Sequence, residues 1–472
     1  ATTPYIGARY VPLFFTNPDD SSNNWKSGLA YDPLTVVSDL NQSYTSKIPV
    51  PASVGRPSEN PTYWILTGAY NAQVEQYRQE VETLADSVDA MGYVITEATP
   101  AETIINDAAS IQNDIILYVA DNIILSSEVT FPDNIVGVIG CGGIITNPTA
   151  SARYSIGFAP RTFFYSAGQL FDQYCRVISS GSGLLEGVAR PQWWGAAPGI
   201  ANNIRVPVDT CMFSDFSTIR FTPGIYVCYP SNNKSNRTFI FDDGAIIDGV
   251  FHLATGDSAA ATVKNVHVKG TATSTVRVGF YDCDGVYVDA IRILARNTQY
   301  INQTAEGGPR GTHIYYRSHN IHIGSIRIDE SAITYGVGID VGTESGAPGQ
   351  IYIDRVHIVN ATADVPSVYI QGSDVHIHDI QDDGDTIAHS ILQFASASYC
   401  EIGSVHGSGP SLAYVGKIHL GGACKMISIQ QARLYSGTVA TNSVAVSTNG
   451  TSTSAGDCFI GLLDSSGYAT VV

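Results

Sequence analysis

A short pattern of apolar residues recurs through the second half of the chain and limits what the chain can fold into. The pattern has apolar residues at its first, third, sixth and eighth positions, as in IHIGSIRI from Ile321 and IYIDRVHI from Ile351. Side chains alternate between the two faces of a strand, so these four positions share one face, and the two-residue break indicates a bend. The copies begin at residues 266, 286, 321, 351, 375, 400, 427 and 458.

The spacing of the copies predicts how they are arranged. Successive copies are 20, 35, 30, 24, 25, 27 and 31 residues apart, a period typical of stacked coils with insertions in their connections. One coil cannot bury its apolar row alone, so the coils must stack. We therefore expect an all-β chain whose residues 113–472 form a right-handed parallel β-helix, with an irregular insertion at about 148–190. A β-sandwich would need hairpin turns that this recurrence does not provide.

Aligning the copies defines two columns of side chains that face outward. The Arg and His residues of the second column are compatible with two interpretations. The column either binds an acidic sugar polymer or faces solvent or a neighbouring chain. The first column is His267, Tyr287, His322, Tyr352, His376 and Glu401, and the second is Arg292, Arg327, His357, Gln381, His406 and Arg433.

The first part of the chain has a different character. Residues 1–68 are rich in Pro, Asn, Ser and aromatic residues, which predicts a small β-rich module whose rings either pack in a core or stack on sugars. Residues 69–92 predict a short coiled-coil neck helix, and residues 93–112 a linker. The predicted coiled-coil positions are spaced by three and four residues: Val74, Tyr77, Val81, Leu84, Val88 and Met91.

Composition excludes several kinds of partner. The formal net charge is -18, so clustered basic residues for nucleic acid or for an anionic membrane are not expected. No apolar run is long enough for a membrane helix, and no signal peptide is visible at the start. The 8 cysteines lack a CxxC pair and are expected to be buried apolar residues, with no metal site or cofactor. The motif DDGD at 382–385 has too few ligands at the right spacing for calcium.

A first resemblance lies between Tyr31 and Leu66. The NxxxYT-like turn at Asn41, a Pro-containing loop and a final Tyr63-Trp64 pair resemble small modules related to chitin-binding carbohydrate-binding domains. With the following LTGAYNAQVEQYRQEV, this region resembles the N-terminal part of tail appendage proteins of phages that infect Gram-positive bacteria.

A second resemblance begins at Arg190, where RPQWWGAAPG is followed after a spacer by IRFTPGIYVC. This segment is similar to the start of pectate-lyase-like phage tail spikes. The family usually carries an Asp pair in the spacer, whereas this chain has only the separate Asp209 and Asp215. The resemblance implies a homotrimer on the virion tail, contact with other virion tail proteins through the N-terminal part, and binding or cleavage of a bacterial surface polysaccharide.

Glycosidic hydrolysis needs two carboxyl groups, and the connections between coils are rich in them. Carboxylates on adjacent coils suit a retaining mechanism, and carboxylates two coils apart approach an inverting one. The motifs of polygalacturonases do not occur together, so no catalytic residue is transferred from that family. The candidate catalytic residues are Glu306, Asp340, Glu344, Asp382 and Asp383.

The predicted function is a phage tail spike that binds and depolymerises a bacterial surface polysaccharide. A polysaccharide lyase, with a base and a charge neutraliser among Arg310, His313, Tyr315 and Tyr316, is one alternative. A non-enzymatic adhesin and a purely structural tail component are two others. The candidate substrate-binding residues are Arg310, Tyr315, Arg327, Tyr335 and His357.

Overall fold

The computed structural model divides the chain into two units, residues 1–90 and 91–472. The structure describes residues 13–17, 19, 21–40, 42–66, 90–147, 153–199, 204–254, 262–294, 311–315, 317–329, 338–342, 349–359, 366–383, 388–411, 416–421, 424–436, 444–448, 457–466 and 468.

The described residues of the first unit contain one small sheet. Strands β2, β3 and β4 are antiparallel, β1 runs parallel to β2, and a 3-10 turn spans Pro57–Glu59. Tyr31, Tyr44 and Trp64 are buried in its core, and the Tyr31 and Trp64 rings meet edge to face with centroids 5.3 Å apart. These three rings pack in a core, which confirms the core interpretation for them. The strands are β1 (Leu13–Phe14), β2 (Thr35–Asp39), β3 (Gln42–Ser46) and β4 (Trp64–Leu66).

The second unit begins with three small sheets, whose strand orders are β13-β10-β7-β5, β11-β8-β6 and β14-β12-β9. Their strands are β5 (Ala90–Ile95), β6 (Thr99–Pro100), β7 (Asp114–Val119), β8 (Ile123–Ile124), β9 (Val129–Thr130), β10 (Ile135–Gly140), β11 (Ile145–Thr146), β12 (Tyr154–Phe158), β13 (Phe163–Ser166) and β14 (Cys175–Ser179).

Two larger parallel sheets follow, and from β21 to β36 successive strands alternate between them. The long sheet contains β15 (Leu185–Ala189), β16 (Phe216–Phe221), β17 (Gly224–Val227), β19 (Arg237–Phe241), β20 (Ala245–Asp248), β22 (Val263–Ser274), β24 (Cys283–Ile293), β26 (His319–Asp329), β28 (Gly349–Val359), β30 (Val375–Asp382), β32 (Ser398–Ser408), β34 (Lys425–Tyr435) and β36 (Phe459–Ser466). The second sheet contains β18 (Ser231–Asn232), β21 (Val250–Ala254), β23 (Arg277–Tyr281), β25 (Gly311–Tyr315), β27 (Ile339–Val341), β29 (Pro366–Ile370), β31 (Ser390–Ala395), β33 (Ile418–Gly421) and β35 (Val446–Thr448).

The protein is thus all-β, with a large parallel sheet of many strands. Each copy of the sequence pattern coincides with one strand of the long sheet, from β22 to β36. Alternate residues such as Ile321 and Ile323 are buried in one hydrophobic cluster to which both sheets contribute. Burying one such side chain contributes about 1.5 to 3 kcal/mol, which explains why the apolar positions recur so regularly.

The strand register confirms both predicted outward columns. In the first column Tyr287 pairs with His322 and His322 with Tyr352, and in the second Arg327 pairs with His357. The same pairing continues to Glu401 and to Arg433. Register follows from the pattern because a slip of one residue would turn every apolar side chain away from the core.

Two short helices lie among the strands in the described part of the second unit. They are α1 (Ala101–Ser110) and α2 (Arg205–Phe213). The RPQWWG motif forms a 3-10 turn over Pro191–Trp194, which ends at Gly195 in the left-handed conformation with φ of 83°. Trp194 is fully buried and donates its indole N–H to the carbonyl of Cys175 at 2.7 Å, so the motif belongs to the core.

The sequence predicted a linker at residues 93–112, but the structure shows that they form part of the second unit. Strand β5 neighbours β7 in its sheet, and Ala101, Ile104 and Ala108 of α1 are buried in the main hydrophobic cluster. Their spacing of three and four residues is the apolar face of a short helix. That stretch is therefore an integral part of the second unit.

The expected irregular insertion at 148–190 is also corrected. Strands β12, β13, β14 and β15 lie within it, and their pairings with neighbouring strands are parallel. Each has only four or five residues, too few for the eight-residue pattern to be visible in the sequence.

Other expectations fall partly outside the described residues. The predicted neck helix lies outside them except for residues 90–92, which belong to β5. Cys175, Cys211, Cys228, Cys283, Cys400 and Cys424 are buried free thiols, whereas Cys141 is exposed and Cys458 half-buried. Among the described residues, no helix has the length and apolar character needed to span a membrane.

Candidate functional site

A groove runs across the long sheet at the bend between the two halves of its strands. It consists of two adjoining segments of about 490 Å³ and about 220 Å³, both lined by Tyr352 and Asp354. The fourth position of each repeat lies at this bend, and the register places Asp289 of β24, Gly324 of β26 and Asp354 of β28 side by side. Three successive strands therefore contribute to one linear site.

Stacked rings line one side of the groove. Tyr287, His322, Tyr352 and His376 occupy the first outward column, and consecutive ring centroids are 4.9, 4.7 and 4.9 Å apart with planes within 12°. This distance is the spacing of neighbouring strands, so the register itself produces the stack. Tyr287 and Tyr352 are 53% and 36% exposed. Because the inner rings cover one another's faces, the edges with their hydroxyl and imidazole groups are left to meet a ligand.

Two carboxylates lie in the same groove, two strands apart. Asp289 accepts a hydrogen bond from the backbone N–H of Gly270 at 2.9 Å, and its other oxygen is 3.4 Å from Nε2 of His267. Asp354 is exposed and makes no hydrogen bond or ion pair within the described part of the chain. Neighbouring strands are about 4.8 Å apart, so the α-carbons of the two residues are roughly 9 to 10 Å apart.

Gly324 keeps the space between the two carboxylates open. A Cβ added there would come within 2.6 Å of the Asp289 carbonyl oxygen, so a side chain does not fit without moving the backbone. The separation of the two α-carbons is close to the upper end of the range of about 6.5 to 9.5 Å between the carboxyl groups of inverting glycosidases, which leaves room for a water molecule.

The comparisons with known proteins identify no relative of this chain. No family model, curated protein or solved structure matches the chain. Among the described residues, no group of three or more His, Cys, Asp or Glu side chains is arranged to hold a metal ion.

Asp382, a predicted catalytic residue, is buried rather than accessible. Its side chain is 0% exposed and lies 3.0 Å from Nε2 of His389, which is equally buried. Ser367 donates its hydroxyl to the same carboxylate at 2.6 Å, and Nζ of Lys417 is 3.4 Å from Nδ1 of His389. A polymer on the surface cannot reach this cluster, so the structure gives Asp382 a place in the core.

Asp383, Arg327 and His357 are brought together on the surface of the long sheet. Asp383 lies 2.6 Å from Nε2 of His357, whose Nδ1 is 3.4 Å from the Arg327 guanidinium. Burial raises the pKa of Asp383, but the hydrogen bonds from His357 and Gln381 and the charge of His357 together outweigh it, so that the pKa is lowered. Arg327 and Arg292 also share the carboxylate of Asp329, at 2.7 and 2.8 Å. These cations are thus already paired, which weakens the case for the column as a surface for an acidic polymer.

Asp340 lies on the second sheet, away from the groove residues of the long sheet. Its neighbours in register are His313 of β25 and Tyr369 of β29. Burial raises the pKa of Tyr369, and the charge of Asp340 adds to the effect. Tyr315 belongs to β25 and pairs with Tyr281. Glu306, Arg310, Tyr316, Tyr335 and Glu344 lie outside the described residues.

The buried His313 and the half-buried His252 of the second sheet make stability depend on pH. Burial and the nearby charge of Arg277 lower the pKa of His252 to about 4 and that of His313 to about 3. Below the ordinary value of about 6.5 the unfolded chain binds protons that the folded chain does not, so stability falls as the pH falls. We expect a loss of about 3 kcal/mol per histidine at pH 4.

The measurement is the free energy of unfolding against pH for the wild-type chain and for the double variant His252→Gln, His313→Gln. The double variant should have the shallower slope between about pH 6.5 and 4. Equal slopes for the two proteins would show that these histidines are not the cause.

The groove residues Asp289 and Asp354 were not among the predicted sites, although the sequence contains a signal for them. The repeats VYVDAIRI and IYIDRVHI both have Asp at the fourth position, and IHIGSIRI between them has Gly. Reading the bend position as a third column, in the same way as the two outward columns, identifies the pair.

Proposed function

We propose that the second unit is a right-handed parallel β-helix and that the protein is a phage tail spike that binds and hydrolyses a bacterial surface polysaccharide. The alternation of strands between two parallel sheets supports this fold, since each pair of strands would form one coil. The resemblance of the RPQWWGAAPG segment to pectate-lyase-like tail spikes supports the class.

The observation that carries the catalytic proposal is the pair Asp289 and Asp354 on either side of Gly324, in a groove lined with stacked rings. Both oxygens of Asp289 face donors, so Asp289 suits the role of the base that takes a proton from water. That water attacks the anomeric carbon. Asp354 donates a proton to the leaving glycosidic oxygen as the C–O bond breaks, and the products contain the sugar chain plus one water.

The charges in the groove favour a neutral polymer or one with free amino groups. Asp289, Asp354 and Glu401 all line it, and a polymer of uronic acids would meet three carboxylates. Arg292 and Arg327, which could attract an acidic chain, lie in the second outward column and share Asp329.

The proposal includes two expectations that come from sequence resemblance. Residues 1–68 attach the spike to other virion tail proteins, and the second units of three chains associate as a homotrimer. The antiparallel strands β2, β3 and β4 support a small independent module in the first part.

The test of the proposed function is incubation of the purified chain with neutral, amino-bearing and acidic bacterial surface polysaccharides. A hydrolase releases reducing ends without unsaturated sugars, a lyase releases unsaturated sugars that absorb ultraviolet light, and an adhesin retains the polymer without cleavage. We expect new reducing ends from a neutral or amino-bearing polymer. If no polymer is retained or cleaved, the proposed function is wrong.

The ring stack predicts a specific loss of binding. Tyr352→Ala removes the ring between His322 and His376, so we expect polymer affinity to fall by roughly tenfold or more. Affinity electrophoresis measures the change. The matched control is Tyr435→Ala, because Tyr435 is also an exposed tyrosine of the long sheet but does not line the groove. Equal affinities for the two variants would contradict a role of the stack in binding.

A further inference from the structure

A column of left-handed residues runs beside the ring stack, on the long sheet. Its members have φ between 52° and 70° and are aligned from β19 to β36 by the strand register. They are Asn236, Asn265, Gly285, Asn320, Gln350, Asp374, Tyr399, Met426 and Asp457.

Two members of this column have side chains that the conformation disfavours. Gly has no Cβ to clash, and Asn and Asp tolerate positive φ, which explains most of the column. A bulky side chain at positive φ is uncommon, yet Tyr399 and Met426 adopt φ of 56° and 52°. Their side chains are 59% and 51% exposed, so packing in the core does not compensate for the strained backbone.

The left-handed column lies within hydrogen-bond distance of the ring column. In β30 and the turn before it, the carboxylate of Asp374 is 2.8 Å from Nε2 of His376. Tyr399 and Glu401 are the same two positions one strand further along. Glu401 lines the groove, so Tyr399 lies beside the groove, two residues before one of its lining residues.

The ring column itself also becomes apolar at that end. After Glu401 and Ser428 its last member is Phe459, which pairs with Ser428 and is 62% exposed. Three consecutive strands of the long sheet therefore carry an exposed apolar group. Its members are Tyr399 on β32, Met426 on β34 and Phe459 on β36.

We infer that Tyr399, with Met426 and Phe459, forms a terminal sugar-binding subsite that stacks on the apolar face of a hexopyranose ring of the polymer in the groove. Here ring faces are exposed, in contrast to the stack of Tyr287 to His376, in which the inner rings cover one another. The inference rests on the proposed function, because it assigns a surface that continues the ring column beside the groove to the same polymer. The fold sets the left-handed conformation of the whole column, and we attribute the presence of a tyrosine at this disfavoured position to the ligand.

The test uses Tyr399→Asn, because Asn suits the left-handed conformation that Tyr399 adopts. We expect this variant to unfold at an equal or higher temperature than the wild-type chain and to bind polymer roughly tenfold more weakly. The matched control is Gln350→Asn, an exposed position of the same column, which should keep full affinity. The probes are a purified neutral bacterial wall polysaccharide and chitohexaose, measured by affinity electrophoresis and by titration, with thermal unfolding of each variant.

Each outcome of this test decides the inference. A lower unfolding temperature for Tyr399→Asn would mean that the tyrosine serves the fold. Unchanged polymer affinity of Tyr399→Asn, with or without a change of oligomeric state, would mean that the apolar group does not bind sugar. In both cases binding by the wild-type chain would leave the proposed function standing. If the wild-type chain binds neither probe, the subsite is rejected together with the proposed use of the groove for such polymers.

Discussion

Replacing Asp289 or Asp354 with Asn is expected to lower the rate of polysaccharide hydrolysis by about 10² to 10⁴-fold, the usual contribution of a general acid or base. Asn keeps the size of each side chain, and at position 289 its carbonyl can still accept the hydrogen bond from Gly270. Affinity should therefore stay close to that of the wild-type chain. The measurement is the rate of release of reducing ends at saturating polymer, together with binding of the intact polymer.

The control for this pair is Asp464→Asn. Asp464 is another exposed aspartate of the long sheet, on strand β36, and it does not line the groove. It should retain full activity. If the Asp464 variant loses activity as much as the two groove variants, the effect is not specific to the pair. If the groove variants hydrolyse at the wild-type rate, the catalytic residues lie elsewhere.

The largest effect on stability is expected from Asp382→Asn. Its carboxylate is fully buried between Ser367 and His389, and Lys417 contacts the other side of the His389 ring. Burial lowers the pKa of Lys417 to about 8, and the charge of Asp382 opposes this shift. Removing that charge leaves the buried ammonium of Lys417 without a compensating carboxylate, so we expect a loss of about 3 to 5 kcal/mol. Equilibrium denaturation with guanidinium chloride measures the free energy of unfolding.

The adjacent residue provides the control for this prediction. Asp383 contacts His357 at 2.6 Å, but the two side chains are 44% and 25% exposed, and such surface pairs contribute at most about 1 kcal/mol. Asp383→Asn should therefore unfold close to the wild-type midpoint. Equal stabilities for the Asp382 and Asp383 variants would contradict the assignment of Asp382 to the core.

Much of the fold of the second unit could be predicted from the sequence because its strands repeat one apolar pattern. The positions of Ile321, Ile323, Ile326 and Ile328 determine which side of the strand faces the core, and stacking like positions then determines the register. The pattern also predicts that Asp382 faces inward, since in VHIHDIQD it occupies the eighth position, which is an apolar position of the pattern. The prediction of Asp382 as an accessible acid of a connection did not take this position into account.

Other features could not be predicted because the apolar pattern carries no information about them. Strands β12 to β15 are too short to display the repeat. The left-handed conformation of Tyr399 depends on its place in a column that otherwise consists mainly of Asn, Asp and Gly. The sharing of Asp329 by Arg292 and Arg327 depends on how long side chains turn at the strand ends. Such contacts are set by tertiary packing rather than by the order of residues along one strand.

The most direct test of the proposed catalytic pair is the configuration of the first sugar end that the wild-type chain releases, followed by proton NMR from the start of the reaction. Carboxylates two strands apart with Gly324 between them predict inversion at the anomeric carbon, because water occupies the space between the pair. Inverted ends from the wild-type chain, and none from Asp289→Asn or Asp354→Asn, are the expected result. Retained ends would contradict it, since retention requires carboxyl groups only about 5 Å apart.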